Sequence, residues 1–149
     1  MDIQLGNISH IIQLAIAPVF LLAGVGTNLA VLINRLARII DRSRILEERM
    51  RSADATGCSE IRDELSTLYR RAHLINRAIT LSTSCALLVC VVIATLFIGG
   101  ALNLELAKFI ALCFVVGMFA LIGGFVYFLR EIFIATKTLS LRHVRLLKV

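Results

Sequence analysis

The sequence predicts an all-α membrane protein in which three transmembrane helices form a single membrane domain and the first two extend into an antiparallel helical hairpin. Three observations predict it. Residues 8–33, 78–104 and 109–129 contain no Asp, Glu, Lys or Arg, and each run reaches the roughly 20 helical residues needed to cross a hydrocarbon core of about 30 Å. The segment between the first two runs repeats its apolar positions at alternating intervals of four and three, the spacing of two helices packed along a heptad seam. Fifteen of the sixteen basic residues fall on one side of a chain threaded this way.

Composition agrees. Of the 149 residues, 58% are hydrophobic and 17% charged, where soluble domains average about 45–50% and about 25%. A globule of this size needs more polar surface than that. A soluble enzyme, a secreted disulfide scaffold and a nucleic-acid-binding domain are excluded, and the net charge of +6 is assigned to contact with anionic lipid headgroups. No nucleic acid is expected as a partner.

Span 1 covers residues 8–33. It follows an acidic Asp2 and runs into an arginine-rich segment, so it is expected to be a retained anchor and not a cleaved leader. Pro18 is expected to bend it. On a helical wheel its polar residues, His10, Gln13, Gly24, Thr27, Asn28 and Asn34, share about 120° of arc, and Arg35, Arg38, Arg42 and Arg49 continue the same stripe. Two readings of the stripe stand. It packs against the other spans, with the arginines on lipid phosphates, or it lines a wet path shared by several copies, with Arg35 and Arg38 at the inner mouth. His10 is the one histidine within the spans.

Residues 34–77 form the helical hairpin. Leu32, Leu36, Ile39, Ser43, Leu46, Met50 and Ala53 make one seam, and Ile61, Leu65, Leu68, Ala72, Ile75, Ile79 and Ser82 make the other. Between them Gly57 is expected to break the helix and Ser59 to cap the next one. Asp41 lies three residues from both Arg38 and Arg44, a spacing suited to helical ion pairs.

Span 2 covers residues 78–104 and span 3 covers 109–129, so that residues 105–108 are left for a tight turn. In span 3, Cys113, Gly117, Ala120 and Gly124 recur at intervals of four and three, a small-residue face for close helix packing. The tail, residues 130–149, stays helical in pattern and is expected to lie along the membrane surface.

Short loops rich in Lys and Arg stay in the cytoplasm. Ten basic residues lie in residues 34–77 and five in the tail, leaving Lys108 alone on the other side. The N-terminus is therefore expected outside and the C-terminus inside a bacterial inner membrane. No catalytic residue, metal site or cofactor is expected: hydrolase, zinc-protease and phosphate-loop signatures are absent, His10, His73 and His143 are scattered, and no cysteine pair has CxxC spacing.

The run Ile8-Ser-His-Ile-Ile-Gln-Leu-Ala-Ile-Ala-Pro-Val-Phe-Leu-Leu-Ala-Gly-Val-Gly and the block Asn34-Arg-Leu-Ala-Arg-Ile-Ile-Asp-Arg-Ser-Arg-Ile-Leu-Glu47 resemble a bacterial inner-membrane family known as a domain of unknown function. A weaker likeness is topological: the order of elements is similar to that of ExbB and TolQ, homo-oligomeric proton-driven stators. The chain is shorter and has no acidic residue in its second and third spans. These readings together imply a homo-oligomer with an ion path lined by span 1. The alternative is a non-conducting scaffold or accessory subunit whose hairpin binds an unidentified protein.

Overall fold

The computed structural model describes residues 2–52, 55–102 and 106–146, with side chains for 9–52, 58–59, 61–102 and 106–136. Three helices account for nearly all of them: α1 (Asp2–Arg51), α2 (Ala55–Leu102) and α3 (Ala107–Leu146). The described residues contain no strand. Each helix carries a stretch long and apolar enough to cross a membrane. Only 17%, 22% and 17% of those stretches is buried within the chain, so most of their apolar surface faces outward, Phe20, Phe119 and Phe133 most of all. An apolar surface of that extent belongs in lipid.

Two boundaries differ from the sequence expectation. α2 begins at Ala55, so Gly57 and Ser59 lie inside its first turns and neither breaks nor starts it. The end of α1 is closed by other groups: the Ser52 amide and hydroxyl both donate to the Arg49 carbonyl, each at 3.2 Å, and the Cys58 thiol donates to the Met50 carbonyl at 3.8 Å. These bonds satisfy carbonyls that a helix end leaves without partners. No break separates span 3 from the tail, because α3 runs continuously from Ala107 to Leu146. Pro18 lies inside α1 without ending it. Ala53, Glu105 and residues 147–149 lie outside the described residues.

The chain divides into two compact units. The first comprises Met1–Ala30 and Thr80–Gly123. Its core is Val25, Cys85, Val89 and Leu121, flanked by Leu21, Leu22, Leu29, Ala86, Ile93 and Ala120. Small residues set its helix spacing. A Cβ at the buried Gly117 would stand 3.6 Å from Leu88 Cβ and 3.9 Å from the Cys85 carbonyl oxygen, and one at Gly100 would run into the Ile11 side chain. Close backbone approach of this kind replaces the hydrophobic drive that lipid cannot supply.

The second unit comprises Val31–Ile79 and Gly124–Val149. Leu32, Ile39, Leu46, Leu65, Leu68, Ile75 and Ala78 are buried together, with Leu36, Ile61, Ala72, Ile79, Tyr127 and Phe128 packed against them. Most of these positions are those of the two seams read from the sequence. Ser43, a polar member of the first seam, is buried and donates to the Ile40 carbonyl at 2.8 Å, so its hydroxyl is satisfied within the helix.

Candidate functional site

The second unit holds the most concentrated charge chemistry among the described residues. Arg35, Arg38 and Arg42 follow one another on α1 at intervals of three and four, which puts them on one side of the helix. α2 contributes Arg71 and α3 contributes Glu131. Glu131 is fully buried, its side chain at 0% exposure. Such burial of a carboxylate is tolerated only with strong partners. Arg71 supplies them: its Nε and Nη2 donate to Glu131 Oε1 at 3.0 and 2.9 Å. On the other oxygen, Arg35 Nη2 approaches Oε2 at 3.2 Å as an ion pair, without the alignment of a hydrogen bond.

Neighbouring contacts fix the same segment. The Arg35 guanidinium lies over the Phe128 ring, 5.3 Å from its centroid. Phe128 and Glu131 are three residues apart and so face the same way. Arg77 lies over the Tyr127 ring at 5.8 Å and donates to its hydroxyl at 3.4 Å. Three arginines from α1 and α2 therefore hold residues 127–131 of α3 by charge and by cation–π contact. Two turns beyond Arg35 on α1, Arg42 Nε and Nη2 donate to Glu64 Oε1 at 3.3 and 3.0 Å.

Beside this network lies an open groove of about 500 Å³ lined by Arg35, Arg38, Ile39, Arg42, Leu68 and Arg71. Four guanidinium charges stand against the carboxylates of Glu131 and Glu64, a surplus of two positive charges. Arg38 is exposed and has no hydrogen bond or ion pair among the described residues.

The residues singled out in the sequence divide among three places. His10, Gln13, Gly24 and Thr27 are exposed in the first unit. Nothing lies within 4 Å of a Cβ built at Gly24, and the Thr27 hydroxyl donates back to the Ala23 carbonyl at 3.1 Å. Asn28 differs from them: half-buried, it donates to the buried Ser82 hydroxyl at 3.3 Å and is used within the chain. Asn34 is exposed in the second unit. Arg35, Arg38 and Arg42 meet at the groove, while Arg49 is exposed and outside it. No ion pair joins Asp41 to Arg38 or Arg44 among the described residues; all three are exposed, and such pairs in water gain little. Gly117 and Gly124 are buried and Cys113 and Ala120 half-buried. No group of three or more possible metal ligands occurs among the described residues.

Sequence reasoning did not find Glu131 or Arg71. Glu131 stands two residues past the charge-free run 109–129, and the structure places it inside the apolar stretch Ala107–Thr136. A signal was present, since Gly117, Gly124 and Glu131 are spaced by seven. The buried face of α3 thus continues into the carboxylate. An acid on the buried face of an apolar helix marks a position that needs a charged partner.

The family model described as protein of unknown function (DUF2721) matches residues 15–141. No curated protein and no solved structure matches the chain, so the topological likeness to ExbB and TolQ carries no argument here.

Proposed function

The chain belongs to the DUF2721 family, and from that premise we propose that it is a homo-oligomeric protein of the bacterial inner membrane whose copies surround an ion path lined by α1. One observation carries the reading. After the chain has folded, Gln13, Gly24, Thr27 and Asn34 remain on exposed surface of α1, and of the polar residues from His10 to Asn34 only Asn28 bonds to another helix among the described residues. A carboxamide such as that of Gln13 is costly to leave against hydrocarbon. Further copies of α1, with water between them, relieve that cost, and three helices of one chain are too few to enclose a path.

His10 and Gln13 stand toward the outer end of this path and Asn34 toward the inner end. The distribution of basic residues supports an N-terminus outside and a C-terminus in the cytoplasm. Of the two arginines expected at the inner mouth, Arg35 is drawn to Glu131, which leaves Arg38 to set the potential there. No catalytic role is part of the reading. The second reading, a non-conducting scaffold that docks a protein on its helical hairpin, is favoured by the arginine groove, which lies on that hairpin.

Two measurements decide between them. The mass of the purified full chain in nanodiscs is expected to be a multiple of the protomer, and a monomer ends the proposal. Ion flux in liposomes is expected to change on Gln13→Leu and Asn34→Leu. Absence of flux for small cations and anions under either polarity refutes conduction and leaves the scaffold.

A further inference from the structure

We propose that the groove between the arginine-bearing faces of α1 and α2 is a binding site for a phosphate group, with Arg38 as its principal ligand. The arginines of the groove have hydrogen-bond donors to spare. A guanidinium carries five N–H donors. Arg71 and Arg42 each direct Nε and one Nη to a carboxylate, which leaves the second Nη of each for another acceptor. Arg38 spends none of its donors on the described residues. The groove therefore brings spare guanidinium donors together from two helices and has a surplus of two positive charges.

Three of the four arginines are also held in place. The buried Glu131 clamps Arg71 and holds Arg35 by charge, and Glu64 holds Arg42. Ordering three long side chains at the moment of binding is thereby avoided. Ile39 and Leu68 form the apolar part of the lining, and a wall of low polarity strengthens each charge interaction next to it. A volume of about 500 Å³ is in the range of small-molecule sites. The charge surplus matches a phosphate monoester or diester, whose tetrahedral oxygens accept from guanidinium planes at different angles. The phosphate has two chemical sources, the headgroup of an anionic lipid or a soluble phosphate compound. The site does not depend on whether copies of α1 conduct ions.

The test uses the full chain in phosphatidylcholine nanodiscs and reads the thermal unfolding midpoint. Inorganic phosphate is titrated against chloride at equal ionic strength in one arm, and phosphatidylglycerol replaces part of the phosphatidylcholine in the other. A rise in midpoint in the first arm identifies a soluble ligand, and a rise in the second alone identifies a lipid. In either case Arg38→Gln is expected to weaken the response by about tenfold or more in ligand concentration, the loss of one charge-assisted contact. Arg44→Gln, an exposed arginine outside the groove, is expected to leave it intact. Arg38→Lys, which keeps the charge and loses the forked donors, is expected to fall between wild type and Arg38→Gln and serves as the second variant should Arg38→Gln lose helicity. No response in either arm overturns the proposal, as does a response that Arg38→Gln and Arg44→Gln reduce equally.

Discussion

Replacing Glu131 by Gln keeps the shape of the side chain and removes one charge. In the folded chain that charge is fully buried and faces two arginines whose side chains are 22% and 34% exposed. Arg71 gives two charge-assisted hydrogen bonds to one oxygen, each worth about 1.5–3 kcal/mol with an ionised acceptor. A carboxamide oxygen accepts the same bonds at roughly half the strength, and its amino group turns toward a guanidinium. Breaking a buried pair from one side costs about 3–5 kcal/mol. Both arginines keep some access to water, so the lower end applies and the expected loss is about 3 kcal/mol. For a chain of this size that corresponds to a fall of about 6–12 °C in Tm. The chain has no tryptophan, so unfolding is best followed through the buried thiol of Cys85, kept as the sole cysteine and labelled as it becomes accessible. The double variant Arg71→Gln with Glu131→Gln is expected to be more stable than the sum of the single losses, with a coupling of about 0.5–3 kcal/mol. A loss below about 1 kcal/mol for Glu131→Gln, or strict additivity in the double variant, would refute the view that this carboxylate ties the three helices of the second unit together.

The other expectations use the same unfolding assay. Arg42→Gln removes an ion pair whose partners are 39% and 31% exposed, so it should cost at most about 1 kcal/mol, and less as salt is raised. Gly117→Ala should be tolerated, because the added carbon stands 3.6 Å from Leu88 Cβ, an ordinary contact. Gly117→Leu should destabilise by about 1–3 kcal/mol through overpacking, and equal behaviour of the two variants would sink the close-packing account of α3. Ser82→Ala deletes the acceptor of the Asn28 amide. Hydrogen bonds between membrane helices average about 0.6 kcal/mol, so a small loss is expected, and one above about 2 kcal/mol would point to a larger polar network around Ser82.

Much of the fold is legible residue by residue. The three charge-free runs become three long helices, since a backbone in hydrocarbon must satisfy its own hydrogen bonds. The buried positions of the second unit repeat the heptad seams because a period near 3.5 keeps one face toward a partner. The turn between α1 and α2 is less legible. Gly57 and Ser59 are frequent helix punctuators, yet here they lie within α2, and Ser52 and Cys58 close the end of α1 instead. Within the candidate site, Arg35, Arg38 and Arg42 are visible as a stripe on one helix. Arg71 and Glu131 are not, since the first is one of ten basic residues of the hairpin and the second lies in a tail expected along the membrane surface, with nothing local to pair them.

The sequence alone determined which stretches can sit in a membrane, which face of each helix is apolar and which side of the chain carries the positive charge. All of these are local or summed properties, readable from one helix at a time. Only the tertiary structure decided that Arg35 and Arg71 share Glu131, that Asn28 is used internally while Gln13 is not, and that four arginines open onto one groove. Those outcomes depend on the rotation and register of neighbouring helices, which are set by contacts between residues far apart in the chain, 60 positions for Arg71 and Glu131 and more for Arg35 and Glu131. The periodicity of a single helix carries no information about which partner residue the folded chain will bring to it.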